Sequence, residues 1–109
     1  MQTLCALSDF QDPESKGFSV DDQAIVVVRK GQDCFAYINS CPHRGVPLEW
    51  IEDQFLDYEK TFIQCAVHGA LFSIETGECI AGPCPGEELT AIPCIVDEGM
   101  VKVDLKRAT

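Results

Sequence analysis

Ala24-Ile25-Val26-Val27-Val28-Arg29, then Lys30-Gly31-Gln32-Asp33, then Cys34-Phe35-Ala36-Tyr37-Ile38-Asn39 reads as two strands joined by a tight turn. The first run is almost pure Ile and Val, whose branched side chains suit a pleated, covered surface. Lys30 to Asp33 carries the glycine that a short hairpin needs. In the second run Phe35, Tyr37 and Asn39 alternate with Cys34, Ala36 and Ile38, as expected of a strand covered on at least one face.

The chain on either side keeps this character. Gln2 to Leu7 and Phe18 to Val20 read as short strands, separated by a polar loop from Asp9 to Gly17. Asp21-Asp22 reads as a solvated turn. Downstream, Thr61 to Cys65, Leu71 to Ile74 and Cys79 to Ala81 read as strands, with a turn at Glu75-Thr76-Gly77-Glu78. Ile92 to Val96 and Met100 to Leu105 form a closing hairpin around Glu98-Gly99, and Lys106 to Thr109 is expected to fray. Gly82-Pro83-Cys84-Pro85-Gly86 is a rigid loop, because its prolines restrict neighbouring dihedrals and its glycines free them. Many short strands with Gly and Pro turns imply an all-β antiparallel sandwich or small barrel.

The chain has 109 residues, room for one domain spanning 1–109. Hydrophobic residues at 46% and charged residues at 24% are globular values and exclude disorder. The net charge of −10 excludes a nucleic-acid or acidic-membrane binder, since both need a basic face. Residues 41 to 88 hold nine acids and two bases, an excess that either steers a basic partner or simply keeps a small protein soluble. Met1 to Phe10 lacks the basic start and apolar run of a signal peptide, and Ala24 to Val28 is too short to span a bilayer. A cytoplasmic protein with reduced thiols follows as the expectation. Seven cysteines, an odd number, then favour metal ligation or burial over a disulfide framework.

Both histidines lie beside cysteines. Cys41 and His43 form C-x-H in one loop, and Cys65 and His68 form C-x-x-H in another. Each loop also carries a glycine, Gly45 or Gly69. Two such loops supply four ligands. A tetrahedral zinc with Cys2His2 ligation fits them. So does a 2Fe-2S cluster with two cysteines on one iron and two histidines on the other. Zinc sites usually pair like with like, whereas here each loop gives one Cys and one His.

Cys41-Pro42-His43-Arg44-Gly45 and Cys65-Ala66-Val67-His68-Gly69 together resemble the two loops of Rieske-type ferredoxins. The resemblance continues with Leu48, Phe72, the Glu75-Thr76-Gly77 turn and Gly82-Pro83, and covers the middle half of the chain. It implies a Rieske-type sandwich with a cluster-binding part at about 40–86 built from two loops. It also implies one 2Fe-2S cluster, with Cys41 and Cys65 on the inner iron, His43 and His68 on the outer, and Gly82 to Gly86 as a covering proline loop. The implied role is one-electron transfer from a flavin-dependent reductase to a terminal oxygenase or similar redox enzyme. The chain is then a carrier with no catalytic residues of its own, a monomer or weak oligomer, binding neither nucleic acid nor membrane. Two other readings are a small Rieske subunit of a nitrite-reductase-type complex and, from a different class, a structural zinc-binding interaction domain.

Departures from the family refine the expectation. Val46 and Val67 stand where high-potential members carry a second, disulfide-forming cysteine pair, and Ala70 and Phe72 stand where those members place hydroxyls. Fewer hydrogen bonds to sulfur lower the potential toward the bottom of the Rieske range, about −150 mV. Twenty-one residues separate His43 from Cys65, more than is usual. The excess is expected at Ile51 to Lys60 as a longer hairpin, whose Phe55, Leu56 and Tyr58 either pack over the domain or offer a partner contact. Cys5, Cys34, Cys79 and Cys94 are expected as small buried strand residues.

Overall fold

Ile25, Val26, Val27 and Val28 are all fully buried, so the strand they form is covered on both faces. The computed structural model describes residues 2–40, 48, 55–65, 69–82 and 86–107 of the chain. Its strands are β1 (Gln2–Ala6), β2 (Glu14–Val20), β3 (Gln23–Lys30), β4 (Asp33–Ile38), β5 (Phe62–Gln64), β6 (Leu71–Ser73), β7 (Cys79–Ala81), β8 (Ala91–Ile92), β9 (Cys94–Asp97) and β10 (Met100–Val103). They form three antiparallel sheets, ordered β2-β3-β4-β8, β1-β10-β9 and β5-β6-β7.

The four-stranded sheet separates two cores, and strand alternation assigns its residues between them. Ile25, Val27, Cys34 and Ala36 join Leu7, Phe10, Val20, Ile92, Val101 and Val103 on one face. Val26, Val28 and Tyr37 join Leu48, Phe55, Ile63, Cys65, Ala70, Phe72, Ile74 and Leu89 on the other. An aliphatic run without polar interruption is what a doubly covered strand requires. The hairpin turns use left-handed residues: Asp21 and Asp22 have φ of 50° and 66°, Glu98 and Gly99 of 52° and 78°. Such turns match the right-handed twist of the flanking strands.

Three expectations are corrected. The polar stretch before Phe18 is a strand from Glu14, with each residue from Glu14 to Val20 opposite one of β3. Pairing with the strong β3 outweighs the poor propensity of Ser15, Lys16 and Gly17. Ile92 to Val96 is two strands: β8 pairs with β4, and β9 pairs with β10. Pro93 lies at the break, where it has no N–H to continue a ladder. The C-terminal stretch closes with a 3-10 turn at Leu105–Arg107.

Phe55 to Gln64 is a hairpin, and the expected start of this longer segment, Ile51 to Gln54, lies outside the described residues. The Gln64 N–H donates to the Phe55 carbonyl at 2.8 Å, and Leu56 bridges Ile63. Asp57 closes the tip, its Oδ1 accepting from the N–H groups of Thr61 at 2.8 Å and Phe62 at 2.9 Å. Phe55 is fully buried and its N–H donates to Ser15 Oγ at 3.1 Å, whereas Tyr58 is fully exposed.

Candidate metal centre

Of the four expected ligands, Cys65 lies among the described residues, and Cys41, His43 and His68 lie outside them. So do Val46, Val67, Pro83 and Cys84. What the structure describes is the set of strand ends from which the three loops spring.

The first loop leaves β4 at Asn39. Its N–H donates to the Ala24 carbonyl at 3.0 Å, which extends the sheet by one rung. Its Oδ1 accepts from the Leu48 N–H at 2.8 Å, and Leu48 is fully buried. One side chain thus ties the two ends of the Cys41–His43 loop together. Asn39 was missed as a functional residue in the sequence. Its signal was an amide at a strand end, a residue type that commonly bonds nearby backbone.

The second loop is held more tightly. The Cys65 N–H donates to the Ala70 carbonyl at 2.9 Å, and the Gly69 N–H donates to the Cys65 carbonyl at 2.7 Å. Gly69 has φ of +70°, a conformation that glycine adopts without a Cβ penalty. Cys65, Ala70 and Phe72 are all fully buried.

The third loop begins at Gly82, with φ of +108°. A Cβ there would lie 2.6 Å from Ala70 Cα, so the backbones of the second and third loops meet at van der Waals distance. The far side is pinned by the Cys79 N–H to the Glu87 carbonyl at 3.0 Å and the Leu89 N–H to the Gly77 carbonyl at 2.8 Å. Gly77 in turn leaves room for Tyr37, whose hydroxyl donates to the Ile74 carbonyl at 2.7 Å. Burial first, and then the Glu75 charge, pushes the Tyr37 phenol up to about 12, so it stays a protonated donor. Glu75 itself is held below its ordinary value, chiefly by its hydrogen bond from Lys30.

Leu48, Cys65 and Ala70 thus root two expected ligand loops in one core, and Gly82 brings the third against it. Among the described residues no three His, Cys, Asp or Glu side chains gather as a metal site. The described donor nevertheless fits an iron–sulfur cluster. Cys65 is a thiol withdrawn from solvent at the start of a tight turn, and thiolate is the ligand such clusters take.

Comparison with known proteins agrees. The family model for the Rieske [2Fe-2S] domain matches residues 1–101. A cytochrome b6-f complex iron-sulfur subunit of Chlorobaculum thiosulfatiphilum is 32% identical over 83 residues, which are 76% of this chain. The match spans only 42% of that longer protein. The 3-phenylpropionate/cinnamic acid dioxygenase ferredoxin subunit of Escherichia coli (strain K12) is 25% identical over 105 residues, 95% of this chain and 92% of that one. Among solved structures, a chain of the complex of reduced oxygenase and oxidized ferredoxin in carbazole 1,9a-dioxygenase superposes with a TM-score of 0.76 at 27% identity, covering 94% of this chain and 100% of that one. The chain belongs to the Rieske [2Fe-2S] domain family, and its cofactor is one Rieske-type 2Fe-2S cluster.

Proposed function

We propose that this chain is an electron-transfer component that carries single electrons from a flavin-dependent reductase to a terminal oxygenase. In this reading residues 1–109 are one domain, with the cluster-binding part at about 40–86. Cys41, His43, Cys65 and His68 hold the cluster. A cluster of this kind, when bound, accepts and releases one electron. The chain's own residues anchor the loops: Asn39 clasps the first, the Cys65–Ala70 pair closes the second, and Gly82 lets the third approach. The protein is expected to be a cytoplasmic monomer or weak oligomer, and no helix among its described residues is long and apolar enough to cross a membrane.

The observation that carries this reading is the near full-length match to a dioxygenase ferredoxin subunit, 95% of one chain against 92% of the other. A solved complex that pairs such a ferredoxin with its oxygenase supports the acceptor class. Ala70 and Phe72 bring no hydroxyl to the fully buried positions they occupy, which supports a potential near the low end of the Rieske range, about −150 mV.

Iron and acid-labile sulfide analysis with EPR of the dithionite-reduced protein tests the ligand set. Two irons and two sulfides per chain, with the low average g value of mixed His/Cys ligation, are expected. His68→Ala should lose or convert that signal. Zinc without sulfide, or an unchanged signal in His68→Ala, overturns the assignment.

A further inference from the structure

Cys34 lies away from the cluster loops, in the core on the opposite face of the four-stranded sheet from Cys65, and Cys5 and Cys94 pack half-buried against that core. All three are free thiols on strands. Two of them are placed as a pair. In the β4–β8 ladder Ala36 stands opposite Ile92. Continued by two residues, that register would set Cys94 opposite Cys34 on the same face. Pro93 diverts the chain into β9 there, yet β4 and β9 remain packed together. Cys34 and Cys94 also line one cavity of about 290 Å³, with Ala36, Ile92, Asp33 and Glu75. With that rung kept, their Cα atoms would stand about 4.5–5.5 Å apart. That lies within the range a disulfide spans. Cys5 is placed otherwise. It stands opposite Val101 and Cys94 stands opposite Val103, so all of β10 lies between them. Two strand spacings make about 9.5 Å, beyond the reach of a disulfide.

We propose that Cys34 and Cys94 form a dithiol that closes to a disulfide by exchange with a neutral low-molecular-weight disulfide, joining the sheet of β4 to the sheet of β9. The Cys94 thiolate attacks one sulfur of the oxidant, whose S–S bond breaks and releases one thiol. The Cys34 thiolate then attacks Cys94 sulfur and releases the second. Two electrons leave the protein, the oxidant is reduced to two thiols, and the two protein protons end on them. Asp33 and Glu75 on the cavity favour a neutral oxidant over an anionic one. Burial, ahead of neighbouring charges, pushes Cys34 up to about 11 and Cys94 up to about 12, so the exchange is slow near neutral pH. The closed bond encloses both ligand loops between its ends and restricts the unfolded chain accordingly.

The test incubates the cluster-loaded protein anaerobically with 2-hydroxyethyl disulfide at mildly alkaline pH, then unfolds, alkylates and maps it without reduction. The expected result is a chain lighter by two hydrogens, a Cys34–Cys94 cross-linked peptide, and a higher urea midpoint that reduction reverses. Cys34→Ala and Cys94→Ala should each abolish the cross-link, and Cys5→Ala should keep it. A cross-link through Cys5 or Cys84 overturns the proposal, as does full alkylation of Cys34 and Cys94 in wild-type protein after prolonged exposure. The wild-type peptide map decides even if a variant fails to fold.

Discussion

Replacing Gly82 by Ala tests whether the approach of two loop backbones holds the cluster-binding part together. The added Cβ would lie 2.6 Å from Ala70 Cα, 3.0 Å from its Cβ and 3.3 Å from its N. Carbon atoms rest about 3.5–4.0 Å apart, so the closest contact is short by about 1 Å and the obstacle is backbone. Overpacking of this kind costs about 1–3 kcal/mol. The φ of +108° adds strain for any L side chain, about 1–2 kcal/mol. The expected loss is therefore roughly 2–5 kcal/mol, a large share of the roughly 5–15 kcal/mol that keeps a domain folded. Relief by moving Ala70 would break the 2.9 Å bond from the Cys65 N–H, so cluster release should quicken as well. Gly31→Ala is the control: φ there is +66° but nothing lies within 4 Å, so only the backbone strain remains. Urea denaturation of both cluster-loaded variants, with visible absorbance following cluster loss, measures the difference. Equal midpoints and equal cluster lifetimes for Gly82→Ala and Gly31→Ala would refute the reasoning.

Tyr37→Phe should cost about 1–2 kcal/mol in the same assay, because the Ile74 carbonyl loses the buried hydroxyl that donates to it at 2.7 Å. Asp57→Ala should cost roughly 1 kcal/mol and speed hydrogen exchange at the Phe62 amide, whereas Asp57→Asn, which keeps the acceptor oxygen, should retain most of both. Glu75 titrates below its ordinary value, so its ion pair with Lys30 stabilises the fold above the ordinary glutamate range, and that contribution disappears as pH falls through the depressed folded value. The Glu75 side chain is 46% exposed, which keeps the effect under about 1 kcal/mol; Glu75→Gln should flatten the acid limb of the stability curve by that amount, and salt should mimic it.

The β character, the central hairpin and the family were legible in the sequence because each rests on local order. The Ile25–Val28 run states a doubly covered strand by itself, and Asp21-Asp22 and Glu98-Gly99 state their turns. The Cys-x-His and Cys-x-x-His spacings carry the resemblance to the family, since residue type and separation within one loop are properties of a few consecutive residues. Other features depend on neighbours distant in the chain. Glu14 to Gly17 is a strand only because β3 lies beside it, and Pro93 splits its strand only because two sheets meet there. Asn39 clasps Leu48, and Gly82 matters because Ala70 faces it. Cys34 and Cys94 come to line one cavity only because β4 and β9 pack together. Local propensity and ligand spacing act along the chain and are written in it, whereas close approach and burial arise between segments and are decided when the sheets pack.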